Sequence, residues 1–401
     1  SAQAHGAHTS LGVGAETPLE LAIQLSIAVL VVACPCALGL ATPTAISVGS
    51  GQAARSGVLF RGGDAIEAAA SVAAVLFDKT GTLTLGRPSL SALRLLNPGP
   101  GEAPVGEEQL LQWAASLEAQ TRHPLAHALL QRCQELALPL MPVEDCTTHP
   151  GQGVMGTLPG AGPVLVGRPD WLESQGMALA EPDRAWLAAQ AQQAATAVAV
   201  AQGGRLVGLL ALEDARRSDA AEALEQLGAM GLALGVLSGD RQLAVERLGA
   251  ELGLAPQQLA WGLLPQQKLE RIEAARAALA SGRGVAMVGD GINDAPALAA
   301  ADVGIAVGTG TQVALDTADL VVLGDRLGAI PWALRLARRT MAKVRQNLAW
   351  AFGYNLVVIP IAAGVLLPGF GVLLSPPLAA MLMALSSITV VVNALLLSRD
   401  A

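Results

Sequence analysis

Three long stretches of the chain carry no charged side chain, and each is about long enough to cross a membrane as a helix. The first runs from residue 21 to about 45, and the other two cover residues 348–367 and 378–397. Roughly 20 apolar helical residues span the hydrocarbon core of a bilayer. Arginine and lysine follow the first stretch and precede the second, as is typical of cytoplasmic loops. The pattern predicts three transmembrane helices, with residues 47–345 in the cytosol and the N-terminal segment outside.

The predicted cytosolic loop alternates short apolar runs with helical patterns. Candidate strands lie at 72–77, 232–237, 284–288 and 304–307, and candidate helices at 220–230, 242–252 and 266–280. This alternation predicts βαβ units and a parallel sheet. Between Pro88 and Leu210 the pattern changes to a long helical stretch over 107–136, short glycine-rich strands and a hairpin. We therefore expect a second domain inserted into the first sheet.

Composition supports a membrane protein. Hydrophobic residues make up 52% of the chain and charged residues only 14%, against roughly 25% charged in soluble domains. The net charge of −8 argues against a nucleic-acid partner. Four cysteines are too few for a disulfide scaffold. Two of them, Cys34 and Cys36, lie in the first apolar stretch, which indicates metal binding or packing.

Three of the predicted strands end at an aspartate: Asp78, Asp240 and Asp290. Ligands of open parallel sheets gather at the carboxyl ends of the strands. Clustered carboxylates repel each other unless a cation lies among them, and ligation by oxygen alone suits Mg²⁺, which also binds phosphates. Lysine occurs only three times in the chain, and two of these, Lys79 and Lys268, fall in the suspected phosphate sites. The pattern predicts a site for Mg²⁺ and phosphate.

The motifs around these strand ends resemble those of the P-type ATPases, specifically the copper-transporting branch of the heavy-metal pumps. DKTGTLT at 78–84 is similar to the phosphorylation motif, and GDGINDAPAL at 289–298 to the hinge and Mg²⁺ motif. SGD at 238–240 and PQQK at 265–268 resemble two further elements. The nucleotide-domain motif is matched by Glu118, His123, Pro124, Gly151 and Gly153. The resemblance extends from about residue 20 to residue 398.

The resemblance implies an α/β fold with a haloacid-dehalogenase-like Rossmannoid phosphorylation domain, an inserted α+β nucleotide-binding domain and three transmembrane helices. The phosphorylation domain would comprise residues 72–88 and 212–330, and the nucleotide-binding domain residues 89–211. Residues 1–17 would be extracytoplasmic, 18–71 the first membrane helix with a cytosolic extension, and 331–401 a linker helix and a C-terminal membrane hairpin. The implied location is a bacterial plasma membrane, with the catalytic loop in the cytosol.

The same resemblance implies ATP and Mg²⁺ as cofactors and an aspartyl phosphate as intermediate. Asp78 would attack the γ-phosphate of ATP, which divides one difficult step into two. Mg²⁺ would be held by Asp78, the main-chain carbonyl of Thr80 and Asp290. The implied catalytic positions are Asp78, Lys79, Thr80, Ser238, Gly239, Asp240, Lys268, Asn293 and Asp294. The adenine end of ATP would lie against Glu118, His123, Gly151, Gly153 and Gly167.

Cys34-Pro35-Cys36 lies in the middle of the first predicted span. Proline removes one backbone hydrogen bond, so the helix can open there and let both sulfurs face one ion. Broken helices are tolerated in a membrane where they line a site. Soft thiolates select Cu⁺ or Zn²⁺-like ions, and the absence of ionised side chains from the other two spans favours monovalent Cu⁺. The resemblance adds Tyr354, Asn355, Met383, Ser386 and Ser387 to this copper site.

Three other functions stay open at this point. One is a Zn²⁺ or Cd²⁺ pump of the same superfamily. Another is a membrane-tethered phosphatase of the haloacid dehalogenase type, which would carry a general-acid aspartate at the position of Thr80. The third is a regulatory or scaffold fragment without enzymatic activity.

We also expect a partial pump, because no counterpart of the family's actuator domain or of its earlier membrane helices is found in the sequence. The implied partners are those missing segments, membrane lipid and the copper ion, with a copper chaperone as a candidate donor and no nucleic acid.

Overall fold

The computed structural model describes residues 17–98, 103–121, 124–192, 195–290, 294–308, 316–324 and 326–399. Two predicted site residues, His123 and Asn293, lie outside these ranges. The chain divides into two compact units. One comprises Ser1–Ala70 and Ala333–Ala401, and the other comprises Ser71–Trp332.

The described elements follow the predicted order. The helices are α1 (Pro18–Val32), α2 (Cys36–Arg55), α3 (Gly63–Ser71), α4 (Glu107–Glu118), α5 (Pro124–Glu135), α6 (Pro169–Ser174), α7 (Glu181–Gln192), α8 (Ala220–Ala229), α9 (Gln242–Glu251), α10 (Pro265–Ala277), α11 (Ala295–Ala300), α12 (Ala329–Ala362), α13 (Leu367–Phe370) and α14 (Pro376–Leu395). The strands are β1 (Val58–Phe60), β2 (Val72–Asp78), β3 (Thr84–Leu95), β4 (Glu144–His149), β5 (Gly153–Leu158), β6 (Gly162–Gly167), β7 (Thr196–Gln202), β8 (Arg205–Arg216), β9 (Ala233–Leu237), β10 (Leu259–Ala260), β11 (Gly284–Gly289), β12 (Val303–Gly308) and β13 (Leu320–Leu323).

The predicted strands and helices of the parallel sheet are confirmed, with bounds that shift by only a few residues. The continuous helix expected over 107–136 is wrong, because α4 ends at Glu118 and α5 begins at Pro124. Proline is well placed at the first position of a helix, but it disfavours helical backbone in the residue before it. Two helices therefore replace the predicted one.

Two apolar segments among the described helices are long enough to cross a membrane: Pro18–Arg55, which comprises α1 and α2, and Pro376–Ser398, which comprises α14 and its final turn. They coincide with the first and third predicted spans. The second predicted span, 348–367, is wrong in extent, because α12 ends at Ala362, soon after Pro360. The charged residues Lys343 and Arg345 precede this part of α12, so its uncharged portion is shorter than the predicted span.

Small residues bring the helices of the first unit close together. Ala37 and Ala41 of α2 pack against Ala351 of α12 and Val390 of α14 in one buried cluster. At Gly49 of α2, an added Cβ would lie 2.5 Å from Thr340 Oγ1 of α12. The hydrophobic effect does not drive helices together in lipid. Membrane helices therefore associate through close packing at such small residues.

The second unit contains a parallel sheet with the strand order β13-β12-β11-β2-β9-β10. Strand β2 reads VAAVLFD and is almost entirely buried, as expected of a parallel strand that is covered on both faces. Because β2 lies between β11 and β9, the three strands end side by side. This strand order places Asp78 between the strand ends that lead to Asp240 and Asp290.

An antiparallel sheet with the order β3-β8-β7-β6-β5-β4 forms the rest of this unit. Helices α4 and α5 share one hydrophobic cluster with this sheet, and α6 contributes to a second cluster. The domain boundaries expected at 88/89 and 211/212 fall inside β3 and β8, which are continuous strands. The division into phosphorylation and nucleotide-binding domains stays a prediction.

Candidate functional site

Asp78 is the last residue of β2, and its residue is only 6% exposed. The next five residues, Lys79–Leu83, form a single wide turn that requires Gly81 at φ +77°. Thr84 closes the turn, since its Oγ1 accepts a hydrogen bond from the Gly81 N–H at 3.2 Å and donates to Asp214 Oδ2 at 2.5 Å. The loop after Asp78 is therefore fixed by hydrogen bonds within the turn and to β8.

Lys268, in the first turn of α10, joins two buried carboxylates. Its Nζ donates to Asp78 Oδ1 at 2.5 Å and to Asp294 Oδ1 at 2.7 Å. Asp294 immediately precedes α11 and is 3% exposed. Two carboxylates thus share one ammonium group, which leaves this cluster one negative charge in excess.

The excess negative charge and the burial of the cluster shift the pKa values of its members. Burial, reinforced by the charge of Asp294, raises the pKa of Asp78 to about 7, although Lys268 opposes the shift. The pKa of Lys268 is raised, because attraction to Asp78 and Asp294 outweighs the effect of burial. Lys268 therefore stays charged at neutral pH, and a further cation would favour the ionised form of Asp78.

Lys79 and Asp240 form a second ion pair beside the first. Lys79 Nζ lies 2.7 Å from Asp240 Oδ2, and Thr80 Oγ1 donates to the same oxygen at 3.0 Å. Burial would raise the pKa of Asp240, but the hydrogen bond and charge of Lys79 outweigh it and lower the pKa. A lysine side chain therefore neutralises Asp240, and the Mg²⁺ ligands Asp78, Asp290 and the Thr80 carbonyl stay a prediction.

Ser238 and Gly239 form the turn that carries Asp240. Ser238 is buried, and its Oγ accepts a hydrogen bond from the Asp240 N–H at 3.1 Å. An added Cβ at Gly239 would lie 3.2 Å from the Leu263 carbonyl oxygen, so glycine permits a close backbone approach. The turn holds Asp240 within reach of Lys79.

Asp290 completes the set of residues that fit Mg²⁺. It follows β11, and an added Cβ at Gly81 would lie 2.7 Å from Asp290 Oδ2, so the absence of a side chain at Gly81 makes room for this carboxylate. Within the described ranges, no group of three or more His, Cys, Asp or Glu side chains could hold a metal ion. Mg²⁺ in phosphate sites commonly uses one or two carboxylates together with substrate oxygens and water. Asp78, Asp290 and the Thr80 carbonyl fit that pattern.

Substituting Gly81 by alanine is expected to weaken Mg²⁺ binding at Asp78 and Asp290 by about 10–100-fold. The added methyl group would displace Asp290 and would also strain a backbone with φ +77°. A titration that follows the thermal unfolding of the full chain as Mg²⁺ is added measures the effect. Gly228→Ala is the matched control, because an added Cβ meets no atom within 4 Å there. Equal Mg²⁺ dependence in both variants would contradict the role of Gly81.

Sequence reasoning missed Arg217, a buried cation that contacts the loop after Asp78. Its Nε donates to the Thr82 carbonyl at 2.8 Å and its Nη2 to the Gly81 carbonyl at 2.9 Å. Asp214, which binds Thr84, was missed as well. Both contacts involve residues in or just after β8, about 130 residues further along the chain. No motif spacing in a single sequence predicts such a contact.

The predicted nucleotide residues occupy the region of the antiparallel sheet. Gly153 of β5 pairs with Gly167 of β6, and an added Cβ at these positions would lie 2.5 and 2.6 Å from the Trp171 ring. Packing against Trp171 therefore requires glycine at both positions, whether or not a nucleotide binds. Gly151 lies in an open turn at φ +72°. Glu118 is buried at the end of α4, which packs against β5 and β6, and accepts a hydrogen bond from Thr121 Oγ1 at 2.7 Å.

The predicted break in the first membrane segment is present. Helix α1 ends at Val32 and α2 begins at Cys36, with Pro35 as its N-cap residue. Cys34 and Cys36 are joined by a disulfide bond. The break therefore brings both sulfurs together, as the sequence predicts. Because the thiolate is the form that binds metal, the reduced pair is the form that can hold an ion.

The other predicted copper residues lie on α12 and α14, two helices that pack against residues on either side of this break. Val32 belongs to one cluster with Val358 and Tyr354 of α12, and Ala37 to another with Val390 of α14. Among the described side chains, Tyr354 Oη and Ser386 Oγ are buried without a hydrogen-bond partner. Asn355, Met383 and Ser387 are partly exposed, and Ser387 Oγ donates to the Met383 carbonyl at 3.4 Å. Buried polar atoms without a hydrogen-bond partner are rare in folded proteins, so these two oxygens require an explanation.

Comparison with known proteins agrees with this geometry. Residues 72–302 match the family model of the haloacid dehalogenase-like hydrolases. The chain is 43% identical over 354 residues to a probable copper-exporting P-type ATPase of Archaeoglobus fulgidus, an alignment that covers 88% of the chain and 42% of that protein. It is 42% identical over 350 residues to a copper-exporting P-type ATPase of Vibrio cholerae, covering 87% of the chain and 37% of that protein.

A crystal structure of a zinc-transporting PIB-type ATPase is also similar, with a TM-score of 0.76 and 35% identity, covering 92% of the chain and 57% of that structure. The chain thus spans about two fifths of the length of the curated relatives. The strand-end aspartates, the lysine that joins Asp78 to Asp294 and the broken membrane helix are consistent with these matches. The chain therefore belongs to the haloacid dehalogenase-like hydrolase family and is a homologue of the copper-exporting P-type ATPases.

Proposed function

We propose that the chain is the catalytic and C-terminal membrane part of an ATP-driven Cu⁺ exporter that works through an aspartyl phosphate at Asp78. The observation that carries this proposal is the position of Asp78, buried at the end of the central strand and bound to Lys268. Transport by the whole pump would require the segments that its longer relatives possess. We propose a bacterial plasma membrane as its location and a copper chaperone as its donor.

Phosphate transfer requires an ionised carboxylate and neutralised phosphate charge. Lys268 holds Asp78 Oδ1, so the other carboxylate oxygen is the proposed nucleophile toward the γ-phosphorus, with ADP as the leaving group. Bound Mg²⁺ would supply positive charge to the phosphate and to Asp78. Lys268 would then stabilise the transferred phosphoryl group. Glu118, Gly151, Gly153 and Gly167 remain the proposed contacts of the adenine end.

Thr80 favours a pump over a phosphatase. A phosphatase of this family would place a general-acid carboxyl group at this position, two residues after the nucleophile. Here the Thr80 hydroxyl instead donates to Asp240 at 3.0 Å. Without a proton donor at this point, hydrolysis of the aspartyl phosphate would be slow, which suits an intermediate that must persist through transport.

The composition of the membrane helices favours Cu⁺ over Zn²⁺. Helices α2, α12 and α14 contain no aspartate or glutamate, and the two cysteines at the break are soft ligands. A divalent ion would be better compensated by a carboxylate close to the thiolates. A Zn²⁺ or Cd²⁺ pump remains the second candidate, which the similarity to a zinc-transporting structure keeps open.

The proposal is tested by metal titration of ATP turnover by the full-length pump that contains this chain. We expect stimulation by Cu⁺ and little response to Zn²⁺, together with acid-stable labelling of the chain from γ-labelled ATP. Stimulation by Zn²⁺ alone would favour the second candidate. Phosphate release without a labelled intermediate would favour a phosphatase.

Replacing Cys34 or Cys36 by serine is expected to weaken Cu⁺ binding by at least about 100-fold, because a neutral hydroxyl is a poor ligand for a soft ion. Competition between the reduced full chain and a Cu⁺ chelator measures this affinity. Cys146→Ser is the matched control, since Cys146 is an exposed free cysteine on β4. A similar affinity in all three variants would show that Cu⁺ binds elsewhere.

A further inference from the structure

A groove between α12 and α14 in the membrane unit belongs to neither proposed site. Its volume is about 520 Å³, and its lining includes Trp350, Val392 and Leu396 on the apolar side. The amides of Asn347 and Asn393 form the polar part of the lining. The groove is therefore mainly apolar, and its hydrogen-bonding groups are confined to one part of the lining.

A chain of hydrogen bonds crosses this polar part and ends at a lysine. Lys343 Nζ donates to Asn393 Oδ1 at 2.9 Å, and Asn393 Nδ2 donates to Asn347 Oδ1 at 2.7 Å. Asn347 is 1% exposed, and its Nδ2 donates to the Ala41 carbonyl of α2 at 3.4 Å. The network holds the Lys343 ammonium group beside Asn393, which lines the groove, and leaves it further N–H donors.

Within the part of the chain that the structure describes, the positive charge at this end has no protein counterion. Among the described residues, no ion pair includes Lys343 or Arg345. The sequences of α2, α12 and α14 contain no acidic residue that could supply one. This end of the helices faces the cytosolic leaflet by the distribution of basic residues. That leaflet is rich in anionic lipid in many membranes.

We propose that the groove binds one anionic phospholipid of the cytosolic leaflet. Its phosphate would accept hydrogen bonds from Lys343, and one acyl chain would lie along Trp350 and Val392. Basic pockets between membrane helices bind anionic headgroups in this way, and tryptophan is favoured at the level of the headgroups. The proposal rests on the membrane location of the helices and is independent of the transported ion.

The test compares lipid binding by the full chain in detergent micelles. Native mass spectrometry and thermal unfolding are recorded after addition of phosphatidylglycerol or phosphatidylcholine. We expect phosphatidylglycerol to be retained and to stabilise the chain, and phosphatidylcholine to do so more weakly. Lys343→Gln should weaken retention of phosphatidylglycerol about five-fold, the effect of one lysine near an anionic surface.

Two further variants distinguish a site from general attraction. Arg335→Gln removes the same charge from an exposed position two turns earlier on α12 and should leave retention unchanged. Val392→Trp fills the groove without changing charge and should reduce retention of phosphatidylglycerol. Equal losses in Lys343→Gln and Arg335→Gln, or no loss in Val392→Trp, would overturn the proposal. Stabilisation by inorganic phosphate alone would overturn it too, and so would a membrane helix of the full-length pump that occupies the groove.

Discussion

Replacing Asp78 by asparagine is expected to abolish phosphate transfer from ATP to the chain, a loss of at least about 10³-fold. An amide is neutral and cannot form the acyl phosphate that a carboxylate forms. Acid-stable labelling of the full chain from γ-labelled ATP measures the effect. Labelling that persists in the variant would rule out Asp78 as the nucleophile.

The same substitution is expected to stabilise the Mg²⁺-free chain above pH 7. Burial and Asp294 raise the pKa of Asp78 from 3.8 to about 7, so the folded chain keeps a proton there that the unfolded chain has lost. Folding stability due to this group therefore falls as the pH rises from about 4 to 7. Asparagine does not titrate, and Lys268 keeps Asp294 as its partner. We expect a gain of about 2 kcal/mol at pH 8, within the limit of about 4 kcal/mol that the shift implies.

Unfolding of the full chain in detergent with a chelator, at pH 8, 6 and 4.5, measures this gain, which should shrink toward the lowest pH. Asp240→Asn is the control, and it should change the stability in the opposite direction, because Lys79 lowers the pKa of Asp240. The stability that ionised Asp240 contributes is present above its unfolded pKa and is lost as the pH falls. If both variants lost stability at pH 8, the assignment of a destabilised carboxylate to Asp78 would be wrong.

Replacing Lys268 by methionine is expected to destabilise the chain by about 3–5 kcal/mol at pH 8. The substitution leaves Asp78 and Asp294 buried without a cation, and their side chains are only 9% and 3% exposed. Phosphate transfer should fall as well, because the developing phosphoryl charge loses its ammonium partner. Chemical unfolding of the full chain measures the stability. The loss should be smaller at pH 5, where a carboxylate can take up a proton.

Lys79→Met is the matched control, because Asp240, its partner, has a side chain that is 40% exposed. Water compensates that carboxylate, so the expected loss is below about 1 kcal/mol. The double variant Lys268→Met with Asp294→Asn should recover most of the stability but not phosphate transfer. Equal destabilisation by the two single lysine variants would contradict the assignment of Asp78, Lys268 and Asp294 as a buried charge cluster.

Local patterns in the sequence were sufficient for much of the fold. The apolar runs of β2, β9 and β11 each lead to an aspartate, so the strands and Asp78, Asp240 and Asp290 follow from one pattern. Pro35 predicts the break between α1 and α2 for an equally local reason, because proline lacks an N–H. The two errors also have local causes. The helix predicted over 107–136 ignored Pro124, and the membrane span predicted over 348–367 ignored Pro360.

Hydrophobic periodicity and proline act within a few residues, so local sequence is sufficient to predict the strands, the broken helix and the residue types proposed for both sites. Which charges pair depends on the tertiary fold. Lys268 is 190 residues from Asp78 in sequence, and Lys343 is 50 residues from Asn393. Strand order and helix packing bring such groups together, and the cost of burying a charge selects partners that no local pattern encodes.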